Sequence, residues 1–285
     1  MNQTTIINKI NDLRYDGLKQ AYLRQIEDIS YNKLSFEERL YNLLESQEIF
    51  LHNKKISMNL KLSKIKDKQA AIEDIDYSIK RKIDISVIKD LANMNFIRNH
   101  QNIIITGKTG TGKSYISQAL GNRAIIDGFR VYYTRVPTLL EEIKISRATG
   151  TYTNLLKKYS RFELLILDDF GTSTITTDDA TNLFEIIEDR TELNSTIITS
   201  QLPVSSWYNY LNNDTVADAI LDRIIHSSHR IELEGESMRK LRSKINKIWK
   251  HSDTYVIILH LENFYFKTVR ITPADCPNKS AGALL

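Results

Sequence analysis

The sequence predicts an α/β protein in which a parallel β-sheet flanked by helices follows a small all-helical N-terminal domain. Three observations predict it. Short apolar runs alternate with helical patterns from residue 102 onward, which is typical of βαβ units around a parallel sheet. A glycine-rich turn at 107–114 joins the first of these runs to a helical pattern. Before residue 86 there is no proline, and Gly17 is the one glycine, which favours helices.

Five apolar runs mark the predicted strands. They are IIIT at 103–106, VYYT at 131–134, LLIL at 164–167, TIIT at 196–199 and IEL at 231–233. The helices between them have recognisable starts, because Pro137 suits a first helical turn. We expect Thr176 or Thr177 to cap the helix after the third run. Similarly, Asp214 or Thr215 is expected to cap the helix before the fifth run.

The first 85 residues predict a helical domain. Ser35 and Glu38 have the spacing of a capping box, which marks the start of a helix. Apolar residues recur at helical spacing on both sides of it: Leu13, Leu18, Tyr22, Ile26, Phe36, Leu40, Leu43, Leu44 and Leu51. The segment 53–68 holds six lysines and one aspartate. It is either a solvated helix face or a surface that contacts phosphates.

Composition excludes several classes of protein. With 41% apolar and 26% charged residues in a length of 285, the chain has the balance of a globular protein. The single cysteine, Cys276, excludes a disulfide framework and a multi-cysteine zinc site. A polar start and a longest apolar run of only 256–259 lead us to expect a cytoplasmic protein with no membrane partner. The net charge of +4 permits a nucleic-acid partner without requiring one.

The glycine-rich turn matches the P-loop pattern G-x-x-x-x-G-K-[ST] in full. Its glycines allow backbone N–H groups to surround a β-phosphate at a helix N-terminus, where the helix dipole favours anions. The lysine is expected to reach the β- and γ-phosphates and the serine hydroxyl to ligate Mg²⁺. The predicted nucleotide-binding residues are Gly107, Lys108, Thr109, Gly110, Thr111, Gly112, Lys113 and Ser114.

An acidic pair follows the third apolar run. A buried strand delivers Asp168 and Asp169 to the carboxyl edge of the sheet, where α/β proteins bind ligands. We expect Asp168 to hold Mg²⁺ and Asp169 to orient or deprotonate the attacking water. Many P-loop ATPases carry the longer glutamate at the second position. A misplacement of about 1 Å can cost on the order of 100-fold in rate, so we expect slow turnover.

Two further polar positions are candidates for the site. Gln201, or else Ser200, follows the fourth run and is suited to sense the γ-phosphate. The alternative is that these residues have no role at the site and only lead the strand into a Leu-Pro turn. Arg223 lies near the end of a predicted helix. It is either a finger that reaches a neighbouring subunit's γ-phosphate or a member of an intrahelical pair with Asp218.

Seven stretches give the chain a resemblance to a known family. They are LRYDGLKQAY at 13–22, LSFEERL at 34–40, IEDIDY at 72–77, NFIRNHQNIIITGKTGTGKS at 95–114, LLILDDFG at 164–171, STIITSQLPVSSW at 195–207 and AILDRIIHSSHRIELEGESMRK at 219–240. Together they resemble the IstB-like ATP-binding proteins, which are helpers of IstA-type transposases in insertion sequences. These are AAA+ ATPases related to the DnaC helicase loader. The resemblance spans residues 7–248.

The resemblance implies a P-loop AAA+ sheet that binds ATP and Mg²⁺. It implies that Lys113 and Ser114 bind the nucleotide and Mg²⁺ and that Asp168 and Asp169 are the acidic pair. It places Gln201 at the first sensor, Arg223 at the arginine finger and Arg239 at a second sensor. It further implies homo-oligomers on double-stranded DNA that recruit and stimulate an IstA-type transposase. Basic residues before the acidic strand are the expected DNA contacts: Lys144, Arg147, Lys157, Lys158 and Arg161.

The sequence therefore divides into three predicted parts. Residues 1–85 form the helical domain that contacts partners or DNA, and residues 86–248 form the ATPase domain. Residues 249–285 are expected to be an appended or out-of-frame extension, because VIILHL and FYF have no evident partner strands. The alternative for this tail is an ordinary hairpin.

Three other functions remain open from the sequence. A helicase loader of the DnaC type would use the same site chemistry with a different partner. A small-molecule or nucleotide kinase would use the same P-loop with an acceptor pocket. A structural DNA-binding protein with a vestigial ATP site is the third.

Overall fold

The computed structural model describes residues 2–77, 82–238, 240, 255–257 and 269–271. Residues 1–235 form one compact unit and residues 236–285 form another. The predicted boundaries after residues 85 and 248 stay predictions. No helix within the described segments is long and apolar enough to cross a membrane.

Three helices open the chain: α1 (Gln3–Asp12), α2 (Asp16–Glu27) and α3 (Phe36–Leu62), with a 3₁₀ turn at Ile29–Lys33 between the last two. The predicted capping box is present, because Ser35 and Glu38 bond each other's backbone N–H at the start of α3. Helices α2 and α3 cross closely at Gly17. A Cβ atom there would lie 2.4 Å from the Phe50 Cβ atom, so only glycine fits this crossing.

The apolar stripe of α3 is largely exposed in the single chain. Phe36, Leu44 and Leu51 retain 73%, 56% and 53% of their accessible surface. The side of α3 that meets α2 at Phe50 also makes polar contacts. Gln47 accepts a hydrogen bond from the Leu18 backbone, and Gln25 donates one to the Arg39 carbonyl. Periodicity identifies the helix correctly but does not say which of its faces is covered.

The segment after α3 fastens these helices to the rest of the unit. Gln118 accepts hydrogen bonds from the backbone N–H groups of Lys66 and Asp67, and Asn122 donates to the carbonyls of Asp67 and Ala70. Both amides lie on helix α6 (Lys113–Ile126). The helix that follows the P-loop therefore also carries the linker from the N-terminal helices.

A five-stranded sheet forms the centre, and all five predicted strands are confirmed. The strands are β1 (Asn102–Gly107), β2 (Val131–Arg135), β3 (Leu164–Phe170), β4 (Ser195–Ser200) and β5 (Ser228–Leu233). All are parallel, in the order β2-β3-β4-β1-β5. The acidic strand β3 lies between β2 and β4, so polar residues from both neighbours reach its carboxyl end.

Helices cover both faces of the sheet. They are α4 (Ile85–Ala92), α5 (Asn95–Arg98), α6, α7 (Val136–Ala148), α8 (Tyr152–Ser160), α9 (Thr177–Glu188), α10 (Trp207–Leu211) and α11 (Asp214–Ile225), with a 3₁₀ turn at Val204–Ser206. Side chains alternate along β3, because Ile166 packs in one core and Leu165 and Leu167 pack in the other. Both cores exclude water from the strands that carry the polar residues.

Two of the three helix starts predicted from the sequence agree with the structure. Pro137 lies in the first turn of α7, and Thr176 caps α9 through a box with Asp179. The prediction for α11 is wrong, because Asn213 caps it by accepting a hydrogen bond from the Val216 backbone N–H. An asparagine amide oxygen serves as well as a carboxylate in this role, so spacing alone does not choose between neighbours.

Arg190 joins the start of β4 to the end of α8. Its guanidinium is fully buried and donates to the backbone carbonyls of Tyr159, Phe162 and Ser195 at 2.6–2.8 Å. A buried charge is tolerated where several acceptors surround it. This side chain therefore fixes the edge of the sheet opposite the P-loop.

The described part of the tail contains a short hairpin. Strand β6 (Tyr255–Ile257) pairs antiparallel with β7 (Val269–Ile271). The expectation that VIILHL lacks a partner strand is therefore wrong for residues 256 and 257, because Val256 pairs with Arg270. The rest of that run and all of FYF lie outside the described residues, and the extension hypothesis stays a prediction.

We expect Arg190→Met to lower the free energy of unfolding by about 3 kcal/mol or more, because three buried carbonyls lose their donor and each costs roughly 1–3 kcal/mol. Urea denaturation measures this. Arg130→Met is the control, since Arg130 is exposed and pairs with Glu163, and exposed pairs contribute about 0–1 kcal/mol. Equal losses in the two variants would contradict the assignment.

Candidate nucleotide site

The P-loop begins where β1 ends. Gly107 has φ +147°, and a Cβ atom there would lie 2.3 Å from the Leu233 carbonyl oxygen on β5. Gly110 and Gly112 also have positive φ angles of 82° and 105°, which glycine adopts without strain. Gly112 is the N-cap of α6. The loop therefore turns its backbone N–H groups toward a helix N-terminus, as an anion-binding loop requires.

Lys113 lies folded back over the loop. Its Nζ donates to the carbonyls of Gly107 and Lys108 at 2.8 and 2.9 Å, and the side chain is buried. Thr111 is buried as well, and its hydroxyl donates to the Lys108 carbonyl. The ammonium group is thus held within the loop where phosphate oxygens would bind.

Asp168 is the centre of a buried polar cluster. Its Oδ1 accepts hydrogen bonds from the Ser114 hydroxyl at 2.9 Å and from the Thr199 hydroxyl. Its Oδ2 accepts one from the Tyr133 hydroxyl at 2.5 Å. Burial, followed by this hydrogen bond, raises the pKa of Tyr133 well above its usual range. Tyr133 therefore stays a neutral donor, and Asp168 joins the P-loop helix to β2, β3 and β4.

Asp169 adopts an unusual backbone conformation. Its φ is +61° and the pairing of β3 with β4 is irregular between Leu167 and Phe170. The Asp169 backbone N–H donates to the Thr199 hydroxyl at 3.2 Å, and its carboxylate accepts from Arg135 Nε at 2.7 Å. This pair raises the pKa of the Arg135 guanidinium. The bulge turns the second carboxylate away from the Asp168 cluster and toward the end of β2.

Gln201 reaches the P-loop, whereas Ser200 does not. The Thr109 hydroxyl donates to Gln201 Oε1 at 2.6 Å. Ser200 is buried and its hydroxyl donates to the Phe170 carbonyl at 2.8 Å. Gln201 also lines a cavity of about 470 Å³ beside Gly107 and Lys108. Of the two sensor candidates, only Gln201 contacts a residue of the nucleotide loop.

Arg223 lies at the opposite edge of the sheet. Its carbonyl accepts a hydrogen bond from Asn102, the first residue of β1, while the P-loop begins at Gly107, the last residue of that strand. At about 3.3 Å per residue these ends are roughly 16 Å apart. The alternative pair with Asp218 is absent from the ion pairs of the described residues. Instead, the Arg223 guanidinium pairs with Glu188.

The remaining predicted residues divide into three groups. Arg239 lies outside the described residues. Three of the basic residues expected to contact DNA are engaged within the chain: Lys144 with Asp179, Arg147 with Glu185 and Lys158 with Glu142. Lys157 and Arg161 are exposed. The part of the chain that the structure describes offers neither of these two an acidic partner.

Sequence reasoning missed three residues of the site. Tyr133 lies in the middle of β2 and Arg135 ends it, while Thr199 lies in β4 one residue before its end. The signal available in the sequence was that each of these two strands ends in polar residues. The strand order that makes them neighbours of Asp168 and Asp169 was not predicted.

Comparison with known proteins places this chain in a family. The model of the IstB-like ATP binding protein family matches residues 8–246. The insertion sequence ATP-binding protein y4pL of Sinorhizobium fredii is 39% identical over 234 residues, which cover 82% of this chain and 95% of that protein. The ATP-binding protein of insertion sequence IS1162 of Pseudomonas fluorescens is 35% identical over 206 residues, covering 72% of this chain and 89% of that one.

Solved structures give the fold. DnaA of Aquifex aeolicus bound to AMPPCP superimposes with a TM-score of 0.51 and 22% identity, covering 66% of this chain and 57% of that one. A DnaA bound to AMPPCP and single-stranded DNA gives 0.52 and 21%, with the same coverage. At these identities the likeness concerns the fold alone. The chain belongs to the IstB-like ATP-binding proteins of insertion sequences and has the P-loop AAA+ fold.

Proposed function

We propose that the protein is an ATP-dependent, DNA-binding AAA+ regulator that assembles on double-stranded DNA and stimulates or targets a partner transposase. The observation that carries this proposal is the position of Arg223. An arginine at the edge opposite the P-loop is too far from the nucleotide of its own chain, and the Arg223 side chain keeps 26% of its surface exposed, so we assign it to the nucleotide of a neighbour. The family to which the chain belongs supports the transposase as partner.

The residues present fit ATP with Mg²⁺. Lys113 is held where it can neutralise β- and γ-phosphate charge, and Ser114 and Asp168 already lie within 2.9 Å of each other, as residues that share one cation do. Oxygen donors of this type suit Mg²⁺. When bound, the cation would neutralise charge that develops on the phosphates. ATP and Mg²⁺ are therefore the proposed cofactors.

Hydrolysis of ATP to ADP and phosphate is the proposed reaction. Asp169 is the proposed acceptor of the proton from the attacking water, and Arg135 holds its carboxylate on the β2 side of the site. Gln201, fixed to Thr109, is the proposed γ-phosphate sensor. Since Asp169 must leave or share its ion pair to reach a water, slow turnover that depends on assembly is expected.

The helicase-loader alternative has the same site chemistry. The family match includes the N-terminal helices from residue 8 onward, and the relatives are named for insertion sequences. Both observations favour the transposase partner. Of the five basic residues expected to contact DNA, we retain the exposed Lys157 and Arg161. The other three, Lys144, Arg147 and Lys158, already pair with carboxylates.

A subunit-mixing experiment tests the proposed function. Asp169→Asn retains the finger but lacks the proton acceptor, whereas Arg223→Ala retains the acceptor but lacks the finger. Each variant alone is expected to lose at least about 100-fold in ATP hydrolysis, since a cis or trans arginine finger is worth about 10³–10⁵. A mixture should recover activity that rises with protein concentration and with duplex DNA.

Binding of a fluorescent ATP analogue controls for loss of nucleotide affinity, which neither substitution should cause. A mixture as inactive as its components would contradict a site shared between subunits, and so would an Arg223→Ala variant with normal activity.

We expect Thr199→Val to lower the rate of hydrolysis about 10–100-fold, in the range measured for residues that orient metal ligands. The valine keeps the shape of threonine but gives no hydrogen bond to Asp168 or to the Asp169 backbone. The dependence of the rate on Mg²⁺ concentration should shift upward. Thr134→Val is the control, because among the described residues the Thr134 hydroxyl bonds only the Arg135 carbonyl. Similar kinetics in both variants would contradict a role in hydrolysis for the hydrogen bonds around Asp168.

DNA binding is expected to weaken with salt and to involve Lys157 and Arg161. Replacing both with alanine should lower affinity for any duplex sequence and reduce the slope of log K against log salt by about 1 per lost phosphate contact. Fluorescence anisotropy over a salt series measures this. Lys144→Ala and Arg147→Ala should change the slope less. The same slope in all variants would contradict the assignment of Lys157 and Arg161 to the DNA-binding surface.

A further inference from the structure

The Arg223 guanidinium is held by two helices. Its Nε donates to a Glu188 carboxylate oxygen at the end of α9. Its Nη1 donates to the Ala219 carbonyl on α11 at 3.0 Å. Its Cζ atom lies 5.0 Å from the centroid of the Phe184 ring. Three contacts of different kinds therefore restrict the side chain, which keeps only 26% of its surface exposed.

The backbone beneath this side chain is also fixed. Asn102 Nδ2 donates to the Arg223 carbonyl, and the Asn102 side chain also accepts from the Thr196 backbone N–H on β4. The start of β1 thus anchors the last turn of α11. Because the backbone is fixed, the orientation of the guanidinium depends on the residues that contact its own nitrogen atoms.

The contacts use only part of the guanidinium's capacity. Arginine has five N–H donors in a planar fork. Glu188 takes the one on Nε and Ala219 takes one on Nη1, so both N–H groups of Nη2 and one of Nη1 have no acceptor among the described residues. Two neighbouring donors in one plane are what a bidentate contact to a phosphate requires. The free donors therefore lie on both Nη atoms, at the end of the guanidinium beyond the Nε that Glu188 occupies.

Charge supports the same arrangement. Glu188 raises the pKa of Arg223, and the hydrogen bond from Arg223 lowers the pKa of Glu188. The pair is therefore ionised. Exposed ion pairs add little to stability, and Glu188 is 47% exposed. We therefore expect Glu188 to contribute little to the free energy of unfolding and to act mainly by orienting the Arg223 guanidinium.

We propose that Glu188 is the positioning residue for Arg223: it occupies Nε and leaves the free N–H groups of Nη1 and Nη2 to meet the γ-phosphate bound to a second copy of this chain. This inference rests on the proposed function. It makes α9, which ends just before β4, a structural part of the site between subunits. Phe184 supports the plane of the guanidinium from the same helix.

The test compares Glu188→Ala, Glu188→Gln and Arg223→Ala in the full chain, with Asp189→Ala as the control. Asp189 is the next residue, is exposed and carries the same charge. Two properties are measured: steady-state ATP hydrolysis, and the protein concentration at half-assembly by sedimentation with a non-hydrolysable ATP analogue. Glutamine keeps an oxygen acceptor for Nε without the negative charge.

We expect Glu188→Ala to lower kcat about 10-fold with little change in KM, in keeping with the cost of misplacing a positioned group. The half-assembly concentration should rise severalfold. Glu188→Gln should recover most of both properties, and Asp189→Ala should resemble the unmodified chain. The double variant Glu188→Ala/Arg223→Ala should be no worse than Arg223→Ala.

Faster hydrolysis or tighter assembly in Glu188→Ala would overturn the proposal, because it would make Glu188 a restraint that withholds the finger. Normal kinetics and assembly in Glu188→Ala would overturn it as well, provided that Arg223→Ala is impaired. If Arg223→Ala is itself unimpaired, the proposed function fails, and this inference fails with it.

Discussion

The carboxylate of Asp168 is the interaction on which the rest of the site depends. It accepts hydrogen bonds from Ser114, Tyr133 and Thr199, which come from the P-loop helix, β2 and β4. A buried carboxylate is tolerable only when its oxygen atoms have donors. Satisfying it therefore sets the spacing of three strands and one helix, and the P-loop takes its place relative to the acidic strand as a consequence.

The second constraint is the length of a strand. The P-loop lies at the carboxyl end of β1, whereas Arg223 is anchored to Asn102 at its amino end. The P-loop and Arg223 stay apart within one chain, because the strand that separates them is extended and buried in a parallel sheet. The proposed finger and the P-loop, placed in this way, would meet only between two copies of the chain. The geometry thus links the proposed chemistry to assembly.

Much of this arrangement was predictable from residue patterns, and some was not. All five strands, the P-loop and the acidic pair follow from local patterns, because glycines, buried apolar runs and a lysine before a helix act over a few residues. The partners of the acidic pair, Tyr133, Arg135 and Thr199, depend on which strands adjoin β3. Likewise, the apolar spacing of α3 does not reveal which of its faces α2 covers. The N-cap of α11 differs by one residue, since neighbouring polar side chains compete for the same role.

The sequence by itself determined the family, the AAA+ fold class and the identity of the nucleotide loop, since each is encoded in contiguous motifs. Only the tertiary structure decided what Arg223 contacts, which basic residues are already paired and which sensor candidate reaches the loop. The physical reason is that these contacts, apart from that of Arg223 with Ala219, join residues 16 to 121 positions apart. Packing and strand order alone bring them within bonding distance.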